Sequence, residues 1–124
     1  MGVGAAASGG FPMVTDATGD AVATDEEGYL VEPAAWDEAT AQQLAGQERV
    51  TLSEEHWQVL GFMRRFYDEH RIAPDARFVI RFLAGELGYG RKAQNHLFQL
   101  FPYGYVQQAC KIAGMKRPRA WSTG

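Results

Sequence analysis

Leu52-Ser53-Glu54-Glu55-His56-Trp57-Gln58-Val59-Leu60-Gly61-Phe62-Met63-Arg64-Arg65-Phe66-Tyr67 is the stretch on which the fold turns. Ser53 is a good helix N-cap, and Glu54 and Glu55 place two carboxylates against the positive end of the helix dipole. Val59, Phe62, Met63 and Phe66 then recur at i, i+3, i+4 and i+7, while Trp57, Leu60 and Tyr67 widen the stripe. So broad an apolar face predicts a central helix, with its aromatics in the core and not in a cofactor box.

Moving toward the N-terminus, Trp36 to Gln47 suits a first helix, with Trp36, Ala39 and Leu44 available for burial and Gly46 near its end. Before it, Asp20 to Glu32 reads as a hairpin. Ala21-Val22-Ala23-Thr24 and Tyr29-Leu30-Val31 flank the turn Asp25-Glu26-Glu27-Gly28, and Pro33 closes the unit. Two strands are marginal alone, so the hairpin is expected to pack on helices. Residues 1–19 are rich in Gly, Ala, Ser and Thr, contain no Lys or Arg, and are expected to form a flexible leader. They have neither the basic start nor the apolar run of a secretory signal, and the chain's apolar runs are too short to span a bilayer. A cytoplasmic protein is expected.

Toward the C-terminus, Pro74-Asp75 restarts the chain, and Ala76, Val79, Ile80, Leu83 and Leu87 keep helical spacing up to Gly88-Tyr89-Gly90. Lys92 to Leu100 suits a further short helix, and Phe101-Pro102-Tyr103-Gly104 a turn. Tyr105 to Ala113 reads as the last helix, stopped by Gly114 and kept from resuming by Pro118. The expectation is a mainly α (α+β) domain: an N-terminal β-hairpin packed on about five short helices, followed by a C-terminal arm.

The 124 residues suffice for one domain, and a hydrophobic share of 46% supports a packed core. A net charge of −3 argues against a general nucleic-acid coat. Charge is unevenly placed, however. Lys111, Lys116, Arg117 and Arg119 lie in a stretch without acids, which suits an acidic partner surface. With one cysteine, Cys110, neither an intramolecular disulfide nor a cysteine-rich metal site is possible. His56, His70 and His96 are too widely spaced for a ligand pair on one helix face and are read as surface or packing residues. No metal or cofactor is expected.

Several segments, in order, carry a resemblance to a known family. They are Thr24-Asp25-Glu26-Glu27-Gly28-Tyr29-Leu30, Leu52-Ser53-Glu54-Glu55-His56-Trp57, Phe66-Tyr67, Leu100-Phe101-Pro102-Tyr103-Gly104 and Lys111-Ile112-Ala113-Gly114. Between Asp20 and Pro118 the chain resembles the DsrC/TusE family of small sulfur-relay proteins, related to the gamma subunit of dissimilatory sulfite reductase. The resemblance implies a helix-turn-helix-like core in residues 20–113 and an arm, residues 114–124, that docks into a partner. It also implies a carrier cysteine near the tip of the arm, with a second about ten positions upstream in many members. Cys110 matches the upstream position, and Trp121 stands where the tip cysteine is expected.

Cys110 is therefore the catalytic candidate, and two readings of it stand. It is either a small, half-buried residue of the last helix or a thiol whose pKa is lowered by Lys111 and the tail cations, against the dipole at a helix C-terminus. Lys111, Lys116, Arg117, Arg119 and Trp121 are the candidate partner-binding residues. The first functional reading is a sulfur-relay or sulfite-reductase-associated protein, at most a sulfurtransferase-type carrier, whose partners are sulfur-transfer proteins or a sulfite reductase-like complex. The second is a non-carrier paralogue that binds partners or DNA and regulates sulfur metabolism. Arg64, Arg65, Arg71, Arg77, Arg81, Arg91 and Lys92 would then supply a basic patch, although net acidity disfavours DNA. A free-standing enzyme lacks a nucleophile–base pair at convincing spacing.

Overall fold

The structure, a computed structural model, describes residues 13–117. Its sheet is small. β1 (Val14–Thr15) pairs antiparallel with β2 (Ala21–Val22), in the register Val14 to Val22 and Thr15 to Ala21. The Asp16 side chain holds the turn between them, accepting from the Thr18 and Asp20 amides. The expected turn at residues 25–28 is also formed, with Asp25 accepting from the Glu27 and Tyr29 amides and Gly28 at φ 93°. Its flanks, however, pair through the single Thr24–Leu30 bridge, closed by the Val31 amide on the Ala23 carbonyl and the Asp25 amide on the Tyr29 carbonyl.

The expected leader boundary at residue 19 is therefore corrected. Val14 is buried in the core, and the Gln43 side chain grips Thr15 through both its amide and its carbonyl. The remainder of the leader, residues 1–12, lies outside the described residues.

α1 (Glu38–Gln47) begins two residues later than Trp36 because Asp37 caps it. The Asp37 carboxylate accepts from the Thr40 amide while the Thr40 hydroxyl accepts from the Asp37 amide. α2 (Glu54–His70) starts at Ser53 as expected, with His56 completing the capping box, and buries His56, Val59, Leu60 and Met63. α3 (Ala76–Gly85) is capped by Asp75 and buries Val79, Phe82 and Leu83. Phe62 of α2 stacks on Phe82 of α3 with ring centroids 4.6 Å apart, so the aromatic edge of α2 serves as the α2–α3 contact. α2, residues 71–75 and α3 form the helix-turn-helix-like pair. A 3-10 turn (Gly90–Lys92) leads into α4 (Ala93–Leu100), which packs on α3.

The last helix, α5 (Tyr105–Cys110), is wound as a π-helix and runs on as α-helix to residue 112. Every described residue from Gly104 to Met115 except Gln107 is buried. α5 thus lies within the core, to which α2 adds Val59, Leu60 and Met63. The fold is mainly α, with a two-stranded antiparallel hairpin and five helices among the described residues.

Candidate functional site at the root of the C-terminal tail

The π-helix brings Cys110, Lys111 and Gln108 inward together. Gln108 is fully buried; it donates to the Glu48 carbonyl at the end of α1 and accepts from the Tyr103 amide. Lys111 follows it, with Nζ 3.0 Å from Glu48 Oε2 and over the Tyr29 ring. Tyr29 in turn donates its hydroxyl to the Val106 carbonyl, and burial is the first cause pushing its pKa up to about 12. Lys111 is therefore an internal strut between α5, α1 and the hairpin. The candidate partner-binding Lys111 is thus held beneath the surface, in an ion pair with Glu48.

Cys110 has no solvent exposure at all. Burial pushes its thiol up to about 12, and the hydrogen bond with Tyr105 opposes this only in part. Of the two readings of Cys110, burial is the one that governs its pKa, because desolvation penalises a thiolate. Tyr105, whose own pKa burial also raises, bonds the Pro74 carbonyl and so ties α5 to the start of α3. A cavity of about 160 Å³ lies beside it, lined by residues including Ile80, Phe98 and Tyr105.

Past Cys110 the chain turns sharply. The Met115 amide bonds the Cys110 carbonyl and the Gly114 amide the Lys111 carbonyl, with Gly114 at φ 78°, a Schellman ending. Two further carbonyls are taken by distant side chains. Trp36 Nε1 donates to the Ile112 carbonyl at 2.8 Å, and Arg64 donates to the carbonyls of Ala113 and Pro33, both at 3.0 Å. The Arg64 guanidinium also lies 4.7 Å from the Trp36 ring centroid. Half-burial draws its pKa below the ordinary value, partly countered by Asp68 and Tyr67.

Beyond this root, Lys116 and Arg117 are exposed, and Arg117 Nη1 lies 3.7 Å from Glu27 Oε2 on the hairpin turn. Arg119 and Trp121 fall outside the described residues. Trp36, Arg64 and Glu48 had not been read as parts of the site. A signal existed for Arg64, which stands four residues after Leu60 and next to Met63, on the edge of the buried stripe. Trp36 and Glu48 flank a helix, and nothing local marks their partners.

The histidines have packing partners. His56 Nε2 faces the Leu100 carbonyl at 2.8 Å, while His96 sits against Glu55 and stacks on Tyr89. Among the described residues no group of three or more His, Cys, Asp or Glu is placed to hold a metal, and no helix is long and apolar enough to cross a membrane.

These features define a small, mainly helical domain whose C-terminal segment is anchored at its root and whose thiol is enclosed. The family profile described as "DsrC like protein" matches residues 16–120. Sulfurtransferase TusE of Pectobacterium atrosepticum is 42% identical over 100 residues, covering 81% of this chain and 92% of the relative. Sulfurtransferase TusE of Photorhabdus laumondii subsp. laumondii is 41% identical over 100 residues, covering 81% and 90%. Among solved structures, DsrC of Allochromatium vinosum aligns with a TM-score of 0.76 at 37% identity, over 87% of this chain and 96% of that one. The oxidized gamma subunit of the dissimilatory sulfite reductase (DsrC) of Archaeoglobus fulgidus gives 0.76 at 28% identity, over 88% and 98%. The chain belongs to the DsrC/TusE family.

Proposed function

We propose that this chain is a sulfur-relay protein that works by docking onto partner proteins. The observation that carries this reading is the 42% identity, over 100 residues, to a protein named as a sulfurtransferase. The DsrC structures that share its fold support it further. The partners in this reading are cytoplasmic sulfur-transfer proteins or a sulfite reductase-like complex. The tail cations Lys116, Arg117 and Arg119, with Trp121, meet an acidic surface on them. The regulatory, DNA-binding alternative finds no support among the relatives, which are sulfurtransferases and sulfite reductase proteins.

Cys110, the chain's one cysteine, is the carrier in this reading. Its thiolate attacks the outer sulfur of a donor persulfide, the sulfur–sulfur bond breaks, and the donor leaves as a thiolate. An acceptor thiolate then takes that outer sulfur and Cys110 leaves as thiolate in turn, so nothing is oxidised or reduced overall. A single thiol cannot release the sulfur by forming an internal disulfide, so the acceptor must come from outside. Because Cys110 is enclosed and its thiol pushed up to about 12, loading proceeds from a state in which α5 has opened, which partner docking favours.

Incubation with glutathione persulfide followed by intact-mass measurement tests the carrier role. One added sulfur atom is expected, absent in Cys110→Ser. No adduct, under conditions that load a TusE relative, removes Cys110 as carrier and leaves a docking role without sulfur transfer.

A further inference from the structure

We propose that Trp36, Arg64 and Gly114 form a clasp that sets the path of the chain as it leaves α5, and so position the C-terminal tail for its partner. The use of that path rests on the docking reading above; its geometry does not. The last carbonyls of a helix lack intrahelical donors and are commonly left to water. Here the Ile112 carbonyl receives the Trp36 indole N–H across 76 residues, and the Ala113 carbonyl receives Arg64 across 49.

Arg64 spends its fork on two carbonyls and not on a carboxylate: one belongs to the tail root, the other to Pro33 in the segment that presents Trp36. The same guanidinium covers the indole, and the indole covers Gly114. The backbone at residues 112–115 is thereby held from two sides, immediately before the exposed Lys116 and Arg117. A helix end needing only solubility requires none of this. Three groups from separate segments converging on one turn fix a direction.

The distance between nitroxide labels at Gln42→Cys, exposed on α1, and Lys116→Cys, in a Cys110→Ala background, reads that direction. Arg64→Lys keeps the charge but loses the fork, and Trp36→Phe keeps an aromatic ring but loses the N–H. A single narrow distribution is expected in the parent, broadened at least twofold in each variant at temperatures where both remain folded by circular dichroism. Unchanged widths in both would overturn the clasp.

Hydrogen exchange on the unsubstituted chain gives a second measure that no folding defect can confound. The Gly114 and Met115 amides should be protected as strongly as that of Ala113, and free exchange at both would equally overturn the proposal. Neither measurement involves sulfur, so failure of persulfide loading leaves this result standing, and the converse holds.

Discussion

Trp36 occupies the space that a side chain at residue 114 would need: a β-carbon on Gly114 would stand 2.4 Å from the indole Cδ1. The residue is also held at φ 78°, where a β-carbon is strained whatever the room. Gly114→Ala should therefore lower stability by about 2–4 kcal/mol, combining backbone strain with overpacking. Adding Trp36→Ala removes the steric part only. In urea denaturation the double variant should lose about 1–2 kcal/mol less than the two single losses together. Strict additivity would mean that the indole does not hold this turn.

Lys111 and Glu48 test the internal strut. Their side chains are 9% and 20% exposed, so each partner alone is costly to leave behind. Lys111→Met should destabilise by about 3 kcal/mol, at the lower end for a broken buried pair because water can reach Glu48. Lys111→Met with Glu48→Leu should recover much of that loss, since an apolar pair of similar volume carries no uncompensated charge. Chemical denaturation of the three variants decides it; a double variant no better than Lys111→Met would contradict the pairing.

Cys110 should be inert in the folded protein. With its pKa near 12, only about one thiol in ten thousand is ionised at pH 8, and burial bars access to that fraction. Iodoacetamide is expected to label it in urea and to leave it untouched in buffer, as read by intact mass. Rapid labelling of native protein at pH 8 would show that α5 opens readily without a partner.

The same burial makes the fold sensitive to alkali. The Cys110 thiol moves from 9.0 to about 12 and the Tyr29 phenol from 10.0 to about 12, both through burial. Folding thus holds on to protons that the unfolded chain releases. This contribution is fully present below about pH 9, declines as pH rises, and is gone above the folded pKa values. Stability should be flat from pH 7 to 9 and fall steeply toward pH 12. Cys110→Ala should flatten the part of the slope between pH 9 and 10, before tyrosine ionises. An identical slope in that variant would place the sensitivity elsewhere.

Ser53→Ala removes the cap of α2. The loss should be about 1 kcal/mol, because the His56 amide and imidazole both lose the hydroxyl. Thermal unfolding measures it, and a change below a few tenths would mean that the Ser53 amide to His56 Nδ1 bond, 3.0 Å, suffices alone.

α2, α3 and α4 were legible because their signals are local. Ser53, Asp75 and the apolar spacing act within a turn or two, and the observed helices begin within a residue or two of where these place them. The hairpin was legible in its Asp25–Gly28 turn, in the Thr24–Leu30 pairing and in the strand at Ala21–Val22, but not in that strand's ladder partner. The true ladder lies upstream, where Val14 and Thr15 look unremarkable among Gly, Ala and Thr until Gln43 of α1 reaches them from 28 residues away. Nor did periodicity separate a π-helix from an α-helix at residues 105–110, since six residues make fewer than two turns of either and leave no repeat to read.

By itself, the sequence determined the family, the helical class, the Ser53 cap and the presence of one thiol just before a cationic tail. All of these depend on residue identities and short spacings, which survive without knowledge of the fold. Only the tertiary structure decided what Cys110 and Lys111 are. Lys111 finds Glu48 across 63 residues, and Tyr29 finds the Val106 carbonyl across 77. Those contacts close the core over α5, desolvate the thiol and turn a supposed surface lysine into a strut. Burial is a property of what surrounds a side chain, and its surroundings here come from the far end of the chain.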